Sequence, residues 1–180
     1  MTIRLETDRL ILTPLAPSDV EDHIAMLGDP RVARVLMPNG VPESFQDRWR
    51  RVASYIGHWN IRGFGFFALR LKSTGAWVGA VGPHRPGDWP GIECGWTIAS
   101  AHWGAGYAPE GAQAAIRWIF EERSDLSRII SLIDPTNEPS QAVARKVGET
   151  KTRDVYNFAG HKLEIWAADR EDWLARFSGS

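Results

Sequence analysis

Apolar and polar positions alternate over residues 9–15, a period of two that predicts a β-strand with one buried face. The period changes at Pro17-Ser-Asp19. A helix opening there brings Val20, Ile24 and Leu27 onto one side until Gly28-Asp-Pro30 stops it. A second helical region is expected over 43–61, with Phe45, Trp49, Val52 and Ile56 marking its apolar side. Residues 64–71 and 76–81 read as neighbouring strands joined by Lys72-Ser-Thr-Gly75, and 92–98 as a further strand after a loop rich in Pro and Gly. From about Tyr107, Ala112, Ala115, Ile116 and Ile119 recur at helical spacing. A short apolar strand follows at 128–133, then a helix over 138–147 that ends at Gly148 with Arg145 and Lys146 in its last turn. Residues 150–158 and 161–168 form a hairpin around Ala159-Gly160, and 169–177 close as a short helix. Strands and helices do not alternate regularly. The pattern therefore predicts one mixed α/β (α+β) domain over 1–180, with its core at about 5–175 and no run of parallel βα units.

Composition narrows the function classes. The 180 residues are 43% hydrophobic, enough for a full core. A net charge of −1 argues against a nucleic-acid partner, and the one dense basic run, Arg48-Trp-Arg-Arg51, reads as a solvated helix face. Cys94 is the only cysteine, which rules out an intrachain disulfide and suits a reducing compartment. The first residues lack the apolar core of a signal peptide and no apolar run approaches a membrane span, so a soluble cytoplasmic protein with no membrane partner is expected. The histidines at 23, 58, 84, 102 and 161 show no metal-ligand spacing, and no metal is expected. His84 and His102 flank the expected cleft and read as solvated loop side chains.

The most specific local signal is Ala101-His-Trp-Gly-Ala-Gly-Tyr-Ala-Pro-Glu110. Gly104 and Gly106 allow a tight turn at the mouth of a helix, with no Cβ between the backbone and a ligand. Pro109 and Glu110 suit the first helical turn. Free N–H groups at such a helix mouth cradle phosphate, which points to a ligand carrying a pyrophosphate. An ordinary capping loop is the plainer alternative. A dinucleotide-dependent oxidoreductase fails on Pro109, where its fingerprint wants glycine, and on the absence of a ribose-binding acid after a strand about 20 residues on.

The ordered set of motifs resembles the GNAT superfamily of acetyl-CoA-dependent N-acetyltransferases, most closely its RimJ/RimL-like branch. Glu6-Thr-Asp-Arg-Leu-Ile-Leu12 is similar to the branch's opening strand, and Pro17-Ser-Asp-Val20 with Gly28-Asp-Pro-Arg-Val32 to its first helix and exit. Val78-Gly-Ala-Val-Gly82 resembles its third strand and Trp103-Gly-Ala-Gly-Tyr-Ala-Pro-Glu110 its pyrophosphate loop. Asn137-Glu-Pro-Ser140 and Lys146-Val-Gly148 resemble its late helix, and Glu171-Asp-Trp173 its ending. The resemblance implies a single GNAT-like domain with a mostly antiparallel mixed sheet of about seven strands and helices on both faces. Four positions depart from the pattern. Ala101 stands where many members carry Gln or Arg, Thr13 replaces an Arg, and Glu149 replaces an aromatic. Ala144 occupies the place of a tyrosine that protonates the leaving thiol.

The same resemblance implies transfer of an acetyl group from acetyl-CoA to a primary amine, on a small molecule or a protein N-terminus, by direct attack in a ternary complex. It places the pyrophosphate on the amides of Trp103, Gly104, Ala105, Gly106, Tyr107 and Ala108. The pantetheine arm falls along the main chain of Trp96, Thr97 and Ile98, with Asn137 on the same arm. A strand bulge near Gly95 or Trp96 would supply an N–H to the thioester oxygen, although Gly95 also reads as a glycine that admits a neighbouring Trp. Glu93, an acid in an apolar strand, is the candidate general base. A strand-edge carboxylate paired to an Arg is the alternative. Ser140 is the candidate acid toward the sulfur, and equally a normal first-turn residue after an Asn137 cap. Trp49, Trp59, Phe64, Phe66 and Trp89 are candidates for an aromatic acceptor wall or for plain core. The residues do not specify an oligomeric state; the resemblance admits a homodimer, since branch members are often dimers. A non-catalytic acyl-CoA-binding or protein-interaction module on the same fold is the other functional class.

Overall fold

The structure, a computed structural model, describes residues 3–37, 39–158 and 160–177. Its frame is an eight-stranded sheet in the order β1-β2-β3-β4-β5-β6-β8-β7. The strands are β1 (Leu5–Glu6), β2 (Leu10–Pro14), β3 (Phe67–Leu71), β4 (Trp77–His84), β5 (Glu93–Ile98), β6 (Arg128–Ile133), β7 (Thr150–Phe158) and β8 (His161–Asp169). The two-residue β1 brings the count just above the seven or so expected. Neighbouring strands run antiparallel except β5 and β6, which are parallel.

The helices are α1 (Val20–Leu27), α2 (Pro30–Leu36), α3 (Phe45–Arg62), α4 (Tyr107–Glu122), α5 (Glu138–Lys146) and α6 (Arg170–Phe177). Period-two alternation sorts them onto the two sheet faces. On β3, Phe67 and Leu69 enter a core with Ala112, Ala115, Ile116 and Ile119 of α4, while Ala68 between them meets α1, α2 and Val52 of α3. Gly111 lets α4 approach closely, since a Cβ there would lie 2.8 Å from Leu69 Cδ2.

Three early helices stand where the hydrophobic pattern predicts two. Gly28-Asp-Pro30 ends α1, but Asp29 then caps α2 by accepting the Arg31 N–H at 2.8 Å, with Pro30 in the first turn. The Asp-Pro pair acts as a stop and a start, and Val32, Ala33 and Met37 are buried behind it. On α3 the expected apolar side is only half buried: Val52 is covered, whereas Phe45 and Trp49 are 65% and 52% exposed. The basic run on this helix is partly structural. Arg48 donates to the Ile24 carbonyl at 2.9 Å, and Arg51 pairs with Glu43. Pro38, at the head of the expected 38–42 loop, and Ala159, in the expected hairpin turn, lie outside the described residues.

Candidate active site

The site exists because β5 and β6 part company. They pair only at Glu93↔Ile130, where Ile130 N–H donates to Ile92 O at 3.0 Å. Beyond that point β5 stays on β4 and β6 stays on β8. The crotch of the fork is filled by side chains: Ser131 Oγ lies 2.7 Å from the Cys94 carbonyl, and Leu132 N–H donates to Glu93 at 3.4 Å. Cys94 and Ile98 turn their carbonyls toward the gap, and Ala99 turns its N–H to Val78 of β4. By strand alternation the Trp96 N–H and C=O also face the gap, whereas Thr97 turns its main chain to β4. The Ile98 carbonyl accepts the Trp103 indole N–H at 2.7 Å. The expected bulge in β5 is not found. All six β5 residues keep register with β4, and the sheet's register shifts lie between β3 and β4 and between β7 and β8. Gly95 instead admits the Phe66 ring, whose Cζ would sit 2.8 Å from a Cβ.

A cavity of about 450 Å³ runs from this open edge of β5 past Val32, Val35 and Leu36 of α2 to the loop before α4. In that loop Gly104 and Gly106 take φ of +78° and +81°, a left-handed conformation that glycine adopts without strain. The main-chain N–H groups from Gly104 to Ala108 have no protein acceptor among the described residues, and the first intraloop bond is Glu110 N–H to Gly106 O at 3.4 Å. They line the mouth of the sixteen-residue α4, whose dipole adds partial positive charge at that end. Arg9 braces the loop from outside: it donates to Ala105 O at 2.9 Å, lies over the Tyr107 ring at 4.7 Å, and pairs with Glu110. Thr7 donates to the same Glu110 carboxylate at 2.5 Å. The sequence pattern gave Arg9 no role, because nothing local links it to a residue about a hundred positions on. Arg9→Ala is expected to raise the KM for the pyrophosphate-bearing substrate about three- to tenfold, the worth of a lost supporting hydrogen bond, with kcat unchanged. Steady-state kinetics at varied donor concentration checks it.

A larger cavity, about 1000 Å³, runs along β5 from Thr97 to Glu93 and is lined by Ser131, Leu132 and Ile133 of β6. The two share Val35, Leu36, Trp96, Thr97, Asn137 and Ser140, so they meet at these residues. Glu93 faces the larger one. Half-buried toward solvent, its carboxyl is packed about by protein, and that burial pushes it from the usual 4.5 up to about 7. Hydrogen bonds from the Trp89 indole at 2.6 Å and from Leu132 N–H oppose the rise without cancelling it. No Arg pairs with Glu93 among the described residues, unlike the expected strand-edge alternative.

Ser140 lies at the junction. Its Oγ accepts the Trp96 indole N–H at 3.3 Å, which leaves its own hydrogen free to donate. Asn137 is committed to protein: its Oδ1 accepts Ser140 N–H at 3.1 Å as the α5 cap, and its Nδ2 donates to Val35 O of α2 at 3.2 Å. Ala144, under Trp166, is fully buried and offers no hydroxyl.

The acceptor-side wall differs from the expected aromatic set. Phe66 and Trp89 line it, but Phe64 and Trp59 belong to the core and Trp49 is exposed. Tyr55, His84, Trp96 and Phe158 complete it. His84 is not a solvated loop residue. It ends β4, packs on Tyr55 and Phe66 at 5.2 and 5.1 Å, and burial lowers it to about 3, so it stays uncharged. Cys94 is fully buried and its thiol is held well above its ordinary value by that burial.

Residues 9–150 match the acetyltransferase (GNAT) domain family. The chain belongs to the GNAT acetyltransferases. It is 30% identical to the FsC-acetyl coenzyme A-N(2)-transacetylase of Aspergillus fumigatus, over 97% of this chain and 81% of that one. Among solved structures it is similar to an acetyltransferase from Agrobacterium tumefaciens, with a TM-score of 0.82, 28% identity and 93% and 95% of the two chains covered. The fold is shared with the ribosomal-protein-S5-alanine acetyltransferase of Vibrio fischeri, at a TM-score of 0.67, 19% identity and 95% and 98% coverage. The residues of this acyltransferase fit acetyl-CoA as donor: unpaired amides at a helix mouth for the diphosphate, and a free strand edge leading from there to Glu93. Among the described residues no group of three or more His, Cys, Asp or Glu is placed to hold a metal, and no helix is long and apolar enough to cross a membrane.

Proposed function

We propose that this acetyltransferase moves the acetyl group of acetyl-CoA directly to a primary amine, carried by a small molecule or a protein N-terminus, in the cytoplasm. The observation that carries this reading is the junction. One cavity leads to the amide-lined loop and the other to Glu93, and they meet across Trp96 and Ser140. A donor laid along β5 from one side then meets an acceptor arriving from the other.

The chemistry follows from the groups placed there. An alkyl ammonium holds its proton to about pH 10.4, and an α-amino group to nearly 8, so much of either acceptor is unreactive at neutrality. Glu93, titrating near 7, is poised to take that proton, which frees the nitrogen lone pair for attack on the thioester carbonyl. Negative charge developing on the thioester oxygen is met by the Trp96 N–H, the β5 donor turned to the gap. Ser140 donates to the departing sulfur, and the Trp96 indole bonded to its oxygen makes that hydroxyl a better donor. Cys94 is too buried and too weakly acidic to carry the acetyl group, which favours direct transfer over a covalent enzyme intermediate.

The acceptor pocket is walled by aromatic rings and an uncharged His84, with Arg34, Arg50, Asp88 and Asp134 farther round its lining. Such a wall suits an amine borne on an apolar or aromatic body. Release of CoA, followed with a panel of small amines and N-terminal peptides, tests the reading. Acceptor-dependent release supports it, and tight acetyl-CoA binding with no release from any amine makes the protein a binding module instead. Ser140→Ala is expected to lower kcat modestly, about three- to tenfold, because a thiol with a pKa near 8.5 is already a fair leaving group. A loss as deep as that of a Glu93 variant would transfer the main burden of catalysis to Ser140.

A further inference from the structure

Glu149, the residue after the late-helix glycine, is a carboxyl that the mechanism above leaves unused. It is 2% exposed, and no Lys or Arg lies within ion-pair distance among the described residues. One of its oxygens, Oε1, is 2.9 Å from Ser131 Oγ, and Oε2 has no partner. Ser131, itself 2% exposed, is at the same time 2.7 Å from the Cys94 carbonyl. A serine hydroxyl has one hydrogen, and a main-chain carbonyl has none to give. If Ser131 donates to Cys94, the contact with Glu149 needs a hydrogen from the carboxyl.

We propose that Glu149 works as a neutral carboxylic acid that positions β5: its hydrogen goes to Ser131 Oγ, and the Ser131 hydrogen goes to the Cys94 carbonyl. The bonded carbonyl is the first gap-facing group of β5 past the last β5–β6 pair, and the next gap-facing residue is Trp96. Fixing the first sets the direction of the second, and with it the N–H aimed at the thioester and the course of the strand that carries Glu93. Displacements well under an ångström matter at such a centre.

Among the described residues, the titratable groups that face Glu149 are both on β5. Glu93, once negative, holds the proton on Glu149 more firmly, and the Cys94 thiol stays neutral. From β6 comes only the Ser131 hydroxyl, and from α5 the Ala144 carbonyl, which accepts the Glu149 main-chain N–H at 2.9 Å. Burial first, then the charge of Glu93, pushes Glu149 from the usual 4.5 to about 8. The sign follows: Glu149 is neutral while Glu93 works near 7, and it ionises as the medium turns alkaline. An ionised Glu149 draws the one Ser131 hydrogen to itself, since a charged acceptor outcompetes a carbonyl, and the Cys94 carbonyl loses its donor.

The test has a spectroscopic arm and a kinetic arm. The infrared difference between the wild-type enzyme and Glu149→Gln at neutral pH should show the carbonyl band of a protonated carboxylic acid, fading with a midpoint near 8. A carboxylate signal at neutral pH overturns the proposal. Kinetically, Glu149→Gln supplies an amide hydrogen to Ser131 in place of the acid's. It should keep kcat within about threefold of wild type, and the wild-type to Gln ratio of kcat should fall as pH rises through about 8. Taking that ratio cancels the acceptor's own ionisation. Glu149→Leu and Ser131→Ala should each lower kcat roughly three- to tenfold, with the KM for acetyl-CoA unmoved. A Leu variant equal to wild type at every pH, or a Gln variant as impaired as Leu, overturns it as well. Should the Leu variant fail to fold, Ser131→Ala and the infrared arm still decide. The kinetic arm rests on the acetyltransferase reading. A wild-type enzyme that releases CoA to no amine sinks that reading, while the infrared arm still reports the proton on Glu149.

Discussion

Glu93→Gln is expected to lower kcat by about 10²–10⁴-fold while leaving the affinity for acetyl-CoA unchanged. Gln keeps the shape of the side chain and its single amide oxygen can still accept the Trp89 indole N–H, so only the longer Leu132 contact, at 3.4 Å, is given up and the local packing survives. What it loses is the capacity to hold a proton. In the wild type that capacity is tuned by burial to about 7, so kcat/KM should rise with pH through that value as the carboxylate forms. In the Gln variant that limb should vanish. Stopped-flow or coupled assays of CoA release across pH measure both effects. A Gln variant with wild-type kcat and an unaltered profile would mean that the amine delivers its proton elsewhere.

Gly106→Val is expected to weaken acetyl-CoA binding by about tenfold to a hundredfold, read by calorimetry as Kd. The cause is conformational rather than steric. A Cβ at this position would meet only the end of Arg9, at 3.5 Å, but φ is +81°, which a β-branched residue does not adopt without strain. The loop would relax toward an extended or right-handed course and swing the amides of Gly104 to Ala108 away from their common focus. Each charge-assisted bond to phosphate that is lost costs about 1.5–3 kcal/mol. The fold should persist, because the loop is held separately by Arg9 on Glu110 and by Trp103 on Ile98. Unchanged affinity would show that the diphosphate is gripped elsewhere, and the donor orientation along β5 would have to be abandoned.

These two effects differ in how far along the chain their causes lie. The amide-lined turn is local: two glycines, a helix start and a proline within eight residues fix the directions of successive N–H groups, and all of it can be read in order from Trp103 to Glu110. The same holds for α4, whose buried positions Ala112, Ala115, Ile116 and Ile119 are those of the helical period, and for the Asn137 cap on α5. The second early helix could have been found from Asp29-Pro30, a cap followed by a first-turn proline, had the pair not also been a strong stop. The exposed half of α3 could not, since an apolar stripe says that a face wants cover and not that cover is present.

By itself, then, the order of residues determined the mixed sheet-and-helix architecture, the amide-lined turn and the candidacy of Glu93 and Ser140. Only the tertiary structure decided what those groups can do. The proton affinity of Glu93 depends on how much protein packs about it and on there being no paired cation among the described residues, conditions set by Trp89, by Leu132 and by the divergence of β5 from β6. The single hydrogen of Ser131, shared between Cys94 and Glu149, depends on bringing β5, the middle of β6 and the residue before β7 within bonding distance. Backbone direction is a property of a few consecutive φ and ψ angles, so it is written locally. Desolvation and hydrogen-bond partnership are sums over neighbours drawn from the whole chain, and no short stretch of sequence contains them.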